Sequence, residues 1–156
     1  NLTVVGDLDV NGEFARRIQS RVRELGLQHH VSFLGQVTND HLNWLYARSD
    51  VLAVPSRYEG FGMVYLEALG FGTPVIASTA GAAKEFITDG KQGFLVAPDA
   101  PIQLAQRIQL LINRPNIAST MGREARAAWE SHPTWMESAT KIEQLLRSLM
   151  MTPSDQ

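Results

Sequence analysis

The sequence predicts an α/β fold, a Rossmann-like doubly wound parallel sheet of five strands, on two observations. Five short β-rich runs, Leu2–Val5, Val31–Leu34, Val51–Val54, Pro74–Ala77 and Gly93–Val96, are apolar on both faces instead of alternating, the pattern of strands in a buried parallel sheet. The stretches between them carry apolar residues at helical spacing. Strand and helix taking turns this regularly imply right-handed βαβ units.

Each element has its own signal. After Leu2–Val5, residues Asn11 to Leu25 place Phe14, Ile18, Val22 and Leu25 on one helical stripe. The arginines at 16, 17, 21 and 23 then form a solvated basic face, preferred over a membrane-surface role. The second strand, Val31–Leu34, leads to a helix over Asn39 to Arg48 with Leu42, Leu45 and Tyr46. Val51–Val54 is followed by a loop and a short helix from Met63 to Leu69. Pro74–Ala77 and Gly93–Val96 complete the sheet. Pro101 to Asn113 turns Leu104, Ile108, Leu111 and Ile112 inward, and Ile117 to Ser131 is the next helix. Thr134 to Met150 shows Trp135, Ala139, Ile142, Leu146 and Leu149 at helical spacing. The tryptophans at 44, 129 and 135 sit on helical faces and read as core. Residues 1–151 form one domain, with 152–156 as a flexible tail.

Composition narrows the function classes. The chain has 156 residues, 44% hydrophobic and 19% charged, enough to bury a sizeable core. Fourteen basic against 16 acidic residues give a net charge of −2, which argues against a nucleic-acid or membrane partner recruited by bulk charge. With no cysteine there is no disulfide and no thiolate metal site. His29, His30, His41 and His132 lack metal-ligand spacing, so no metal site is expected. Ser56 lies in no nucleophile-elbow pattern. No apolar run approaches the roughly 18 to 20 residues of a membrane span.

In an open parallel sheet, ligands bind outside the carboxyl ends of the strands. The richest loop there follows Val54: Pro55-Ser56-Arg57-Tyr58-Glu59-Gly60-Phe61-Gly62. Its glycines permit unusual backbone angles and close approach of a ligand. The unpaired N–H groups at the start of the next helix, with the positive end of its dipole, suit an anion such as phosphate. Glu59 precedes that helix. Glu67 lies in its second turn among Tyr65, Leu66, Ala68 and Leu69. A carboxylate so placed can accept hydrogen bonds from sugar hydroxyls, and a ribose diol suits it in bidentate fashion. On spacing alone the plainer reading is favoured: Glu59 supports the helix start electrostatically and Glu67 sits on a solvated face.

The whole run, PSRYEGFGMVYLEALGFGTPVIAS, closely resembles the signature of the group-1 family of retaining nucleotide-sugar glycosyltransferases, with Glu59 and Glu67 matching its E-x7-E element. VSFLGQV and LYARSDVLAVPS before it, and GTPVIASTAGAAKEFITDGKQGFLVAPD after it, extend the likeness over about residues 1 to 130. The resemblance implies one half of a GT-B architecture, the C-terminal domain that binds the donor. It implies that Glu67 binds the ribose hydroxyls and that Glu59 lies by the donor sugar, countering charge that develops at the anomeric centre. Gly60, Phe61, Gly62 and Met63 would offer backbone N–H groups to sugar and diphosphate. Val64 would pack near the ribose, and Gln36-Val37 would meet the base through the main chain. The donor is a nucleotide-diphosphate sugar, with no metal and no further cofactor. The partner is an acceptor-binding N-terminal domain, and the location is cytoplasmic, at most peripheral to a membrane.

Two departures from the family pattern stand out. Where it has a glycine pair before a glutamate, this chain reads Gly81-Ala82-Ala83-Lys84-Glu85, which puts the angles of that loop in question. LTVVGD resembles the second strand, so the first strand-helix unit, with its diphosphate-clamping Arg and Lys, is expected to lie outside this chain. Val31–Leu34 should then pair with Leu2–Val5, and the other three strands with one another, leaving a slot one strand wide between the groups. Two alternative readings stand beside this one: a nucleotide-sugar epimerase of the same architecture, and a binding module without catalysis.

Overall fold

A computed structural model describes residues 1–151 of the chain, in two compact units, Asn1–Arg48 and Ser49 onward. The tail expected over 152–156 lies outside the described residues.

The first unit contains β1 (Leu2–Val5), α1 (Gly12–Glu24), β2 (Val31–Gly35) and α2 (Asn39–Arg48). β1 and β2 are parallel, Leu2 opposite Val31, with a register shift between Val4 and Val5. Asn11, expected as the first helical residue, is the N-cap: its side chain accepts from the Phe14 N–H at 3.1 Å. The helix ends in a Schellman pattern, with Gly26 N–H donating to the Arg23 carbonyl and Leu27 N–H to that of Val22.

The second unit contains β3 (Leu52–Val54), α3 (Met63–Gly70), β4 (Val75–Ser78), α4 (Ala83–Phe86), β5 (Gly93–Val96), α5 (Pro101–Asn113), α6 (Pro115–Glu130) and α7 (Trp135–Met151). Its sheet runs in the order β3-β4-β5, all parallel. The strands thus pair in the two groups expected from the sequence. The single turn α4 was not foreseen, because four residues are too few for periodicity to register.

The core lies in the second unit. Ile76, Phe94, Val96, Leu111 and Met121 form a buried cluster, with Leu104, Ile108 and Ile117 packed against it, so α5 and α6 cover β4 and β5. Tyr65, Ala68 and Leu69 bury one side of α3. α3 meets α6 through glycine: a Cβ on Gly122 would come within 2.7 Å of the Gly72 carbonyl oxygen. Arg126 on α6 donates to the Gly70 carbonyl at 2.6 Å, placing a cation on the last turn of α3, where the dipole favours it.

Burial departs from the expectation in several places, and Ile112 of α5, expected inward, is among them at 71% exposed. β1 and β2 are not buried strands: Leu2 is 53% exposed, and Val5 and Leu34 are exposed as well. The stripe of α1 is exposed at Phe14, Ile18 and Leu25, leaving Val22 half-buried. On α7, Trp135, Ile142, Leu146 and Leu149 are all exposed, Trp135 at 84%. Trp44 and Trp129 are exposed too. Helical spacing reports that a face is apolar, not that something covers it. α7 is nonetheless well started. Thr134, expected inside the helix, is its cap, in a reciprocal box: Glu137 N–H donates to Thr134 Oγ1, and Thr134 N–H to Glu137 Oε2 at 2.7 Å. These bonds, the backbone one first, hold the Glu137 carboxyl below its usual range.

The difference between stripe and core is measurable. Leu111→Ala is expected to cost about 2 to 4 kcal/mol by cavity formation, and Ile142→Ala no more than about 0.5 kcal/mol, both by urea denaturation. A cost at Ile142 as large as at Leu111 would mean that α7 is covered in solution.

Candidate functional site

The loop between β3 and α3 leaves the carboxyl end of a strand and enters the N-terminus of a helix. Gly62 is the cap of α3, in the left-handed region at φ 82°, ψ 38°, with no side chain to accept from the first turn. Both angle and space require glycine there, because a Cβ would overlap the Tyr65 ring. The sequence suggested unusual angles at both glycines, but Gly60 is not in the positive-φ region and has open space beside it. The structure thus separates their roles: Gly62 lets the chain turn, and Gly60 leaves room.

The loop after β4 supports this turn from behind. Gly81, at φ 84°, lies so close to the main chain of Glu59 that a Cβ would overlap its carbonyl oxygen. The Ala82 N–H donates to that same oxygen at 3.1 Å. Ala82 itself is right-handed, φ −76° and ψ −3°, so its methyl group costs no strain. The substitution that put this loop in question is accommodated because the left-handed angle falls on Gly81. On a third side, the guanidinium of Arg57 donates through Nε to both carboxylate oxygens of Asp99, at 2.9 and 3.1 Å, joining the loops after β3 and β5. Both side chains are largely exposed, so the pair orients more than it stabilises.

The candidate residues fall in both units. Glu59 is half-buried and Glu67 is exposed in the second turn of α3. Phe61 and Met63 are exposed, and Val64 half-buried. Gln36 and Val37 belong to the first unit, after β2. The Gln36 amide donates to Asp7 at 2.8 Å, tying the loops after β1 and β2, and Val37 is half-buried. Among the described residues, no cluster of three His, Asp or Glu could hold a metal ion.

Two features escaped the sequence reading. Tyr65, wholly buried beneath the Gly62 turn, has a hydroxyl without a hydrogen-bond partner. Burial first, and the charge of Glu59 second, push the phenol above its usual range. The second is a cavity of about 470 Å³ lined by Phe61, Met63, Leu66, Trp129, His132 and Trp135, among others. Phe61 packs edge-on to Phe86 at 5.6 Å, and Phe86 stacks on His132 at 5.9 Å. The signal for it was a proline break with an aromatic residue on either side, Trp129 and Trp135 around Pro133. Chemically, the loop can present backbone donors and a helix N-terminus to an anion, and two carboxylates to hydroxyl groups.

The model of the family Glycosyl transferases group 1 matches residues 1–128. The D-inositol 3-phosphate glycosyltransferase of Corynebacterium diphtheriae is 36% identical over 121 residues, 78% of this chain and 28% of that protein. The GDP-mannose-dependent alpha-(1-6)-phosphatidylinositol monomannoside mannosyltransferase of Mycobacterium tuberculosis is 32% identical over 154 residues, 94% of this chain and 39% of that protein. The solved structure of Anabaena HepE in complex with UDP aligns with a TM-score of 0.85 at 30% identity, covering 94% of this chain and 40% of that one; HepE has also been solved with UDP-glucose. The chain spans roughly a quarter to two fifths of the length of such relatives.

The division of labour between the two small residues can be read out. Gly81→Ala is expected to destabilise the second unit by about 2 kcal/mol or more, combining a strained angle with overlap on the Glu59 main chain. Ala82→Gly should cost only about 0.4 to 1 kcal/mol, through unfolded-state entropy. Equal costs in thermal denaturation would remove the assignment of the left-handed angle to Gly81.

Proposed function

The chain belongs to the group 1 glycosyl transferases, and from that membership we propose that it is the donor-binding half of a retaining hexosyltransferase, moving a sugar from a nucleotide-diphosphate sugar to an acceptor hydroxyl. The observation that carries this reading is the pinned turn: Glu59 with its carbonyl held by Ala82 N–H, and Gly62 in the left-handed cap of α3. Between them the main chain of Gly60, Phe61, Gly62 and Met63 offers N–H groups to the sugar and diphosphate. The first-turn amides and dipole of α3 take the diphosphate charge without a metal.

Glu67 binds the ribose diol and Val64 packs beside the ribose. Glu59 holds a sugar hydroxyl and stabilises the positive charge that grows at the anomeric carbon as the bond to the diphosphate breaks. In a site fixed beforehand this electrostatic contribution needs no reorganisation. Gln36 and Val37 meet the base. Relatives differ in the nucleotide their names and structures carry, GDP-mannose in one and UDP in another, so the base is a matter for measurement. The acceptor is bound by a further domain, consistent with the greater length of the relatives. Among the described residues no helix is long and apolar enough to cross a membrane, and a cytoplasmic site of action is part of the proposal.

Titration calorimetry with UDP, GDP and ADP and their sugars is the direct test, and absence of binding to all of them in the full polypeptide would refute the reading. There, Glu67→Ala should weaken nucleotide binding by about 1 to 3 kcal/mol, the scale of a lost hydrogen bond to a charged group. Glu59→Ala should lower kcat more than it weakens nucleotide binding, because its partner is the sugar. Unchanged kinetics and affinity in both would exclude the roles assigned. Residues 1–156 alone should transfer no sugar, since half a cleft supplies neither proximity nor the acceptor; robust turnover would show that the donor half suffices.

A further inference from the structure

The loops that leave β1 and β2 are brought side by side by the sheet itself. The register shift between Val4 and Val5 sets Val5 opposite Gly35 and leaves Leu34 as the extra residue of β2. Irregularities of this kind re-aim the side chains that follow and are frequent beside binding sites. Each strand then exits through a glycine at positive φ, Gly6 at 146° and Gly35 at 69°, and the Gly6 N–H donates to the Gly35 carbonyl at 3.0 Å. Asp7 and Gln36, the next residue on each side, therefore meet.

Their contact is directional. Asp7 accepts on both carboxylate oxygens: Oδ1 from the Asp9 N–H at 2.8 Å, and Oδ2 from Gln36 Nε2 at 2.8 Å. A carboxylate only accepts, so the Gln36 amide must face it with its nitrogen; turned over, the amide would set Oε1 against Oδ2. The amide oxygen is left facing away from Asp7, and among the described residues no donor meets it. Both side chains are exposed, so the bond contributes little to stability. Its effect is to select one of two amide orientations before any ligand arrives.

We propose that Asp7 is a positioning residue for Gln36, holding its amide so that Oε1 accepts a hydrogen bond from an N–H on the base of the donor nucleotide. The role rests on the donor-site reading given above, in which Gln36 meets the base. It deepens that reading by assigning base specificity to an acceptor whose direction is chosen in the loop after β1, at a residue that itself touches no ligand. A glutamine able to turn over offers oxygen or nitrogen and discriminates poorly. A held one presents a single kind of partner, and a base edge without an N–H there leaves it unbonded.

The test uses the full polypeptide and whichever of UDP, GDP and ADP binds most tightly by calorimetry. That nucleotide is compared with its analogue methylated at the edge nitrogens (N3 of uracil, N1 and N2 of guanine, N6 of adenine), so that the edge has no N–H. The preference for the parent over the analogue should fall about fivefold in Gln36→Ala and in Asp7→Ala, and no further in the double variant. Inorganic pyrophosphate, which has no base, should bind all of them as it binds the wild type. Should Asp7→Ala fold poorly, Asp7→Asn keeps the size, lets the amide face it either way, and should lower the preference in the same direction. An undiminished preference in the Asp7 variants, or an equal loss of pyrophosphate binding, overturns the proposal. A second measurement needs no ligand. In a nitrogen-15 spectrum, the side-chain amide pair that disappears in Gln36→Ala should move in Asp7→Asn, and an unmoved pair overturns the fixed orientation. If none of the nucleotides binds, the donor-site reading fails by itself, and the spectrum still reports on Asp7 and Gln36.

Discussion

The second unit depends on the burial of β4. Its four residues, Val75 to Ser78, are all inaccessible to solvent. Hydrogen-bonded on both edges to β3 and β5, β4 satisfies its main-chain groups along both neighbours. A strand that is fully paired and fully covered cannot shift its register without exposing apolar side chains. The loops that leave the carboxyl ends of β3, β4 and β5 therefore start from fixed points. This is why Gly81 can press on the Glu59 main chain, and why Arg57 can reach Asp99. The geometry of the site is set by the sheet before any side chain in it is chosen.

Much of this was legible in the sequence. Apolar runs identified all five strands to within a residue, although β1 and β2, which carry Thr3 and Ser32, are not covered on both faces. Pro101 marked the first residue of α5, where its missing N–H is no loss. The two glutamates and the glycine turn between them could be found by motif, since the site residues are close in sequence. Contacts between distant segments were not legible. Glycine's freedom favours Gly81 over Ala82 for a left-handed angle, but what requires the close approach there, the Glu59 carbonyl 22 positions earlier in the chain, is not local. Nor does the phenol of Tyr65 differ in sequence from any other aromatic on an apolar face.

The misjudged burial has one physical origin. Phe14 on α1 and Ile142 on α7 lie on faces whose apolar spacing is genuine, yet they are exposed. Amphipathicity is a property of one element, and coverage is a property of two. Leu111 and Met121 are buried because α5 and α6 each have the sheet and the other helix as neighbours.

The seam between α3 and α6 has a consequence for how the molecule opens. Gly72 and Gly122 bring two backbones together with no side chain between them, and Arg126 closes the end of α3. Helices in such contact cannot part by small steps: the first displacement strips the Gly70 carbonyl of its donor and admits water to a surface that has no flexible groups to refill it. Slow amide exchange should therefore be shared by α3, β4 and α6 as one cooperative block, their protons released only in global unfolding, while the exposed turns of α7 exchange through local fraying. The loop that carries Glu59 is anchored to that block through Gly81 and Ala82, so it inherits the block's persistence in time despite lying at the surface.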